Sequence, residues 1–337
     1  MLNPYDTIKN TYKAMKKFRE TGYETGYLGN TVLGSPIPYV KKGDDRFGSM
    51  LIFGAIHARE YITAPLVTRL AEEYDGKPAV YFAPLINVDG VALCTLGVDA
   101  VDEILRREKA ILNPENPCFF YANYSFSEQE NPAFSMPSIK CRISKKEKTS
   151  LFDTDAARYD YTPLVRRLIR INKGNRDFSL WKANVDAVDL NVNFDADWGT
   201  GVQNVRSPSV ANYIGPYPES EPETKALVNF TKEHDFFAVL CYHCKGEVIY
   251  YGYKNNMPYP RYAKLFSDAL GYPLEESVNS AGGYKDWFTM RYDRLALTVE
   301  VGAADRSYAE LNADFESIYE RNSAVLPIIK NMDFERF

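Results

Sequence analysis

The chain predicts an α/β fold, and three features carry that prediction. Residues 50–56 and 79–85 are short apolar runs bounded by turn residues, which read as buried strands. Between them residues 62–74 carry apolar side chains at helical period, so the order is strand, helix, strand, the unit of a parallel sheet. Late in the chain, Leu295, Leu297, Val299 and Val301 alternate with Thr298 and Glu300, the two-residue period of a strand with one polar face.

Taken in order, residues 5–21 place Ile8, Tyr12, Met15 and Phe18 at roughly helical spacing among lysines, and Thr21-Gly22 closes this opening surface helix. Residues 30–40, with Gly34 and two prolines, read as an extended hairpin segment leading to the first strand. The turn Asp75-Gly76-Lys77-Pro78 ends the next helix, and the second strand runs out at Asn87-Val88-Asp89-Gly90. Residues 113–150 break the rhythm with four prolines, scattered aromatics and the basic cluster Lys140, Arg142, Lys145, Lys146 and Lys148. They read as a long surface excursion of the kind that can form a lid or rim of a cleft, and its basic cluster reads either as a solvated face or as an attraction for an anionic substrate. Residues 161–172 form a short helix, 236–242 an apolar strand running into His243, and 247–251 a second short strand. A helix over 259–270 is closed by Gly271, and 308–332 reads as one long final helix. No repeat is visible, so the expectation is a single domain over 1–337 that carries the 113–150 excursion on its surface.

Composition excludes several classes. With 45% hydrophobic and 25% charged residues the chain has an ordinary globular composition. A net charge of -5 argues against nucleic acid as a partner, and no run approaches the length of apolar residues that crosses a membrane. Five cysteines, an odd number spread over 337 residues, form no disulfide framework and fit a reducing compartment. The opening residues lack the charged and apolar regions of a secretory signal, so the expected location is cytoplasmic.

The chemistry centres on Gly54-Ala55-Ile56-His57-Ala58-Arg59-Glu60. An imidazole and a carboxylate three residues apart, where a strand gives way to a helix, converge readily on a zinc ion. Alone the motif is weak, because a hydrogen-bonded core histidine and a carboxylate at a helix start produce the same pattern. Three further motifs follow in register: Asp189-Leu190-Asn191-Val192-Asn193-Phe194, Ser220-Glu221-Pro222-Glu223 leading to His243, and Leu297-Thr298-Val299-Glu300. Together the four resemble those of the zinc metallocarboxypeptidases, in order over most of the chain. The resemblance implies a central mixed, twisted sheet flanked by helices. It also implies one zinc per chain held by His57, Glu60 and His243, with the fourth position left to water. Glu300 then matches the family's catalytic carboxylate, which takes a proton from water and passes it to the leaving amine, and Asp189 matches the residue that orients a ligating imidazole.

Departures from the family pattern bear on the substrate. The arginine that clamps a substrate's terminal carboxylate is Val192 here, and the electrophilic arginine after a tryptophan is Lys182 after Trp181, which keeps the charge but loses the fork. The capping tyrosine expected before Gly282-Gly283 is absent from Ser277-Val278-Asn279-Ser280-Ala281, leaving Tyr284 as its substitute. Trp181-Lys182-Ala183-Asn184, Ser220-Glu221-Pro222-Glu223-Thr224 and Gly246-Glu247 resemble the branch that cuts γ-D-glutamyl-diaminopimelate bonds in bacterial cell-wall peptides. That resemblance implies a muropeptide substrate, with Lys182 assisting catalysis; Asn191, Arg59 and Arg206 are the candidates for binding it, and Arg59 and Arg206 read equally as surface ion pairs. The competing readings are an ordinary carboxypeptidase, an N-acyl-amino-acid deacylase, and a silent zinc-containing peptide-binding module. Val192 opposes the first, the peptidase-like motifs oppose the second, and the retained Glu300 opposes the third. Cys241 and Cys244 flank His243 at C-x-x-C spacing, but without a second pair they read as buried thiols.

Overall fold

A computed structural model describes residues 2–102 and 161–332. The predicted excursion over 113–150 and its basic cluster lie outside the described residues. Eight strands form one sheet in the order β1-β2-β4-β3-β5-β8-β6-β7. They are β1 (Glu24–Asn30), β2 (Pro36–Lys42), β3 (Asp44–Phe53), β4 (Pro78–Ala83), β5 (Phe236–His243), β6 (Val248–Tyr251), β7 (Leu274–Glu275) and β8 (Leu295–Glu300). The central strands β4, β3, β5 and β8 run parallel, whereas β1 and β2 pair antiparallel at one side and β6 runs antiparallel to β8 at the other. The sheet is therefore mixed and flanked by helices, as the family resemblance implies, and the strand-helix-strand order accounts for its parallel centre.

The helices are α1 (Thr7–Glu20), α2 (Thr63–Glu73), α3 (Val88–Leu96), α4 (Pro163–Ile171), α5 (Pro222–Glu233), α6 (Pro260–Leu270), α7 (Tyr284–Tyr292), α8 (Tyr308–Leu311), α9 (Phe315–Asn322) and α10 (Val325–Lys330). Local chemistry sets several of their ends. Asn87 caps α3 by accepting from Gly90 N at 3.0 Å, so the residues at which the second strand runs out start a helix. Pro260 opens α6, and Gly271 at φ 64° closes it in the left-handed conformation. The single final helix expected over 308–332 is three short ones. A Ser307/Glu310 capping box starts α8, Asn312 leaves the helix to donate to Tyr61 Oη, and Pro327, which lacks an N–H, is accommodated in the first turn of α10.

Strand parity separates the two faces. Met50, Ile52, Leu240, Tyr242, Leu297 and Val299 pack with α1, α2, α6, α9 and α10. Leu51, Phe53, Val239, Cys241 and Ala296 point to the opposite side, against α5 and α7. With both faces covered, β5 is buried along its whole length, as a central parallel strand should be. A third cluster, containing Ala55, Ala58, Tyr61, Trp181 and the apolar residues of α3 and α4, packs the turn that follows β3.

Candidate active site

The sheet places the site by register. His243 and Glu300 are cross-strand partners at the carboxyl ends of the parallel strands β5 and β8. By parity both belong to the face of Cys241 and Ala296, while Cys244 packs in the opposite core. His57 follows β3, the other neighbour of β5, so three strand ends open on one crevice. The turn carrying His57 is stitched by Thr63, whose hydroxyl donates to Glu60 O at 2.8 Å and accepts from Ala55 N at 2.7 Å. Ala58 N donates to Lys182 O at 3.0 Å, which anchors the Lys182 segment beside the same turn.

His57, Glu60 and His243 are buried and converge. His57 Nδ1 lies 2.9 Å from Glu60 Oε1 and 3.2 Å from His243 Nδ1, and His243 Nδ1 lies 3.1 Å from Glu60 Oε2. Ligand atoms about 2.0–2.1 Å from a tetrahedral zinc stand roughly 3.3 Å apart, close to this spacing. Two imidazole nitrogens and a carboxylate are also the donor set zinc prefers, so these residues fit the ion. Cys244 N donates to Glu60 Oε2 at 3.2 Å and fixes the carboxylate from a second element.

Behind His57, its Nε2 stands 3.1 Å from Asp189 Oδ1, an ion-pair distance without the alignment of a hydrogen bond. The fully buried Asp189 also takes Lys182 Nζ at 2.8 Å and the backbone N–H groups of Asn191 and Asn212 at 3.2 and 3.0 Å. Burial alone pushes its carboxyl upward, but Lys182 and His57 outweigh it and hold Asp189 well below the usual carboxylate range. Glu60 behaves alike, with burial opposed and overcome by the two histidines. Glu300 goes the other way. Burial and the Glu60 charge push it up to about 7, against the pull of His243, Lys182 and Arg59. A dication held by the three ligands would draw it back down.

A cavity of about 680 Å³ opens on this cluster and is lined by His57, His243, Lys182, Asn191, Val192 and Glu300 among others. Its far wall is the 275–281 segment, which reaches Val192 closely because Gly282 has φ +82° and no Cβ, an atom that would sit 2.6 Å from Val192 O. Asn191 lines the cavity while its Oδ1 accepts from Tyr284 N at 3.0 Å.

Three of the residues expected to touch substrate are not among those lining this cavity. Arg206 is exposed and donates to Gly199 O at 3.0 Å, outside the cavity lining. Arg59 packs its guanidinium over the Tyr308 ring at 5.2 Å rather than forming that wall. Tyr284 is no cap, since it is fully buried against Phe53 and Phe194 with its hydroxyl paired to Thr231. The adjacent, buried Lys285 and Asp286 do line the cavity, and sequence reasoning missed them because a neighbouring Lys-Asp pair reads as a solvated surface.

Comparison with known proteins agrees with this geometry. A family model described as zinc carboxypeptidase matches residues 158–324. The gamma-D-glutamyl-L-diamino acid endopeptidase 1 of Lysinibacillus sphaericus is 28% identical over 298 residues, covering 87% of this chain and 63% of that protein. The chain thus spans less than two thirds of that relative's length. The uncharacterized protein YqgT of Bacillus subtilis (strain 168) is 27% identical over 315 residues, 89% of this chain and 69% of its own. Among solved structures, bovine thrombin-activatable fibrinolysis inhibitor in complex with tick carboxypeptidase inhibitor superposes with a TM-score of 0.57 at 18% identity, covering 97% of each chain.

Proposed function

Because the chain belongs to the zinc carboxypeptidase family, we propose that it is a zinc-dependent peptidase that hydrolyses the γ-D-glutamyl bond to a diamino acid, diaminopimelate, in cell-wall peptides. The observation that carries this reading is the make-up of the cavity wall. Val192 lines it where a terminal-carboxylate clamp would stand, and among the described lining residues the cationic side chains are Lys182 and Lys285. A substrate with several charges remote from the scissile amide fits such a wall better than a peptide with one terminal carboxylate. The relative named as a gamma-D-glutamyl-L-diamino acid endopeptidase supports the same substrate class.

His57, Glu60 and His243 would hold the metal. Zinc, when bound, supplies a Lewis acid that acidifies water and polarises a carbonyl. The chain's own residues handle the proton. Glu300 accepts it from the attacking water as the carbon–oxygen bond forms, then returns it to the nitrogen as the carbon–nitrogen bond breaks, so the products are a carboxylic acid and a free amine. Lys182, steadied by Asp189, sets a positive charge on the wall where the carbonyl oxygen gains negative charge. Asp189 keeps the His57 ring in place from its far side.

The test compares kcat/KM on a γ-D-glutamyl-diaminopimelate tripeptide and on a blocked dipeptide with an apolar C-terminus. Charge-assisted contacts contribute about 1.5–3 kcal/mol each, so the tripeptide should lead by roughly one to two decades. Equal or better turnover of the dipeptide would leave an ordinary carboxypeptidase.

A further inference from the structure

The motif Asn87-Val88-Asp89-Gly90, at which the second strand pattern runs out, does more than start a helix. Asn87 is fully buried, and its side chain bonds to three parts of the chain. Oδ1 accepts from Gly90 N at 3.0 Å as the cap of α3. Nδ2 donates to Ile56 O at 3.2 Å and to Ala183 O at 3.1 Å, which uses both of its protons. Ile56 immediately precedes His57, and Ala183 immediately follows Lys182. Two carbonyl oxygens that would repel each other are thus held on one amide. Ala58 N donates to Lys182 O at 3.0 Å, so residues 56–58 and 182–183 are joined at two rungs, one of which is the Asn87 amide. The seat fits that side chain closely. A Cβ on Gly90 would sit 2.4 Å from Asn87 Oδ1, and Asn87 N donates to the carbonyl of Ala55, an alanine held in the left-handed conformation at φ 49°.

We infer that Asn87 is a positioning residue that sets the distance between the metal-holding turn and the Lys182 ammonium. The inference rests on the reaction proposed above, in which Lys182 faces the carbonyl oxygen as it gains negative charge. Lysine carries its charge on a long flexible stem, so its place depends on what holds its tip and on where its backbone starts. Asp189 holds the tip, and is itself fixed by Asn191 N and Asn212 N. At the backbone end, Lys182 N and Ala183 N both donate to Val210 O, which ties the segment to a neighbouring loop but not to the turn. Registration against the turn falls to Ala58 and Asn87. Without the amide, the Ile56 and Ala183 carbonyls lose their shared donor and part, and a displacement of about 1 Å at a reacting site costs up to roughly 100-fold in rate. The turn itself stays seated, because Thr63 and Cys244 N hold it independently. The effect therefore falls on kcat and spares the affinity for zinc.

Asn87→Ser and Asn87→Asp each keep a residue that caps a helix while removing the donor to the two carbonyls. The experiment measures kcat and KM on the γ-D-glutamyl-diaminopimelate tripeptide for each variant, alone and combined with Lys182→Met. Alone, Asn87→Ser should lower kcat by about 10- to 100-fold, with KM and the zinc affinity read by chelator competition each within about threefold of the wild type. Beside Lys182→Met the same change should cost less than about twofold, because the group it acts through is gone. Losses that add in the double variant overturn the inference, and so do folded variants that keep the wild-type kcat. Asn87→Ser decides alone if the buried carboxylate of Asn87→Asp prevents folding, and failure of both to fold makes Asn87 a stability residue and overturns the inference. Phosphinic analogues of the tripeptide and of the blocked dipeptide give a readout without turnover, since their tetrahedral anion stands where the carbonyl oxygen gains charge. Calorimetry should show binding weakened about 10-fold by Asn87→Ser alone and unchanged by it beside Lys182→Met. A wild type that hydrolyses neither substrate refutes the proposed reaction, while the binding comparison still decides the role of Asn87.

Discussion

Two groups of buried carboxylates share the segment 182–189 and behave in opposite ways. On one side Asp189 meets Lys182 and His57, and Glu60 meets two histidines, so both stay ionised although they are buried. On the other side Asn184 Nδ2 reaches Glu221 Oε2 at 2.7 Å and Glu223 Oε2 at 3.3 Å, Glu223 Oε1 accepts from Val32 N, and Asp89 accepts from Leu33 N and Ser35 Oγ. These partners are all neutral. Burial therefore dominates, and it pushes Glu223 up to about 8, with Asp89 and Glu221 raised as well. The lesson is that depth does not decide the charge of an acid here. A presented cation can outweigh burial, as Lys182 and the histidines do for Asp189 and Glu60, whereas Lys285 does not outweigh it at Asp286.

The sharpest challenge to this contrast falls on Glu300, an acid raised by burial but facing cations. Glu300→Gln keeps the shape and removes the proton acceptor, so kcat should fall by about 10²- to 10⁴-fold while metal content and thermal unfolding hold. Unchanged turnover would move the general base elsewhere.

A smaller loss is expected at Asp189. Asp189→Asn cannot neutralise Lys182 or steady His57 as before, and such supporting groups typically contribute 10- to 100-fold in metal affinity. Chelator competition measures it, and a wild-type affinity would show that the pairing with His57 is incidental.

The gentlest effect concerns the neutral group. Glu223 has a folded pKa of about 8, above its ordinary value of 4.5, so its contribution to stability is full below 4.5 and is lost as pH rises through about 8. Across that window unfolding releases a proton, which costs the wild type up to about 1.4 kcal/mol per pH unit. Glu223→Gln has no proton to release and should flatten the decline, as read from urea unfolding at several pH values. Parallel curves for the two proteins would mean that Glu223 is ionised in the fold.

Which parts of this were legible in the sequence follows from how local each signal is. His57, His243 and Glu300 could be named because each follows or ends a short strand pattern, and strand ends of a parallel sheet share an edge, while Glu60 was legible from its place three residues after His57. Asn87 as a helix cap, and the break at Asn312, were obscured because a turn and a helix start use the same residue types. The positions of Arg59, Arg206 and Tyr284 depend on which neighbour claims them: the Tyr308 ring, the Gly199 carbonyl, and Phe53 with Phe194. Those neighbours come from other elements, as does the Gly252 carbonyl that makes Lys285 an interior residue. The ionisation of Glu221 and Glu223 was equally hidden, since the motif fixes their identity and the distant Asn184, Val32 and Asp89 fix their environment.

The site is assembled across long stretches of chain: Glu60 and His243 meet from positions 183 residues apart, and β5 must be seated between β3 and β8 before they do. No fragment that ends before β5 contains three ligands. In refolding, contacts of such separation form late, because the loop they close is entropically expensive until the intervening elements have docked. High-affinity ion uptake therefore marks completion of the central sheet rather than any earlier stage, and the rate at which a colorimetric chelator loses its zinc to the refolding chain becomes a clock for β5 insertion.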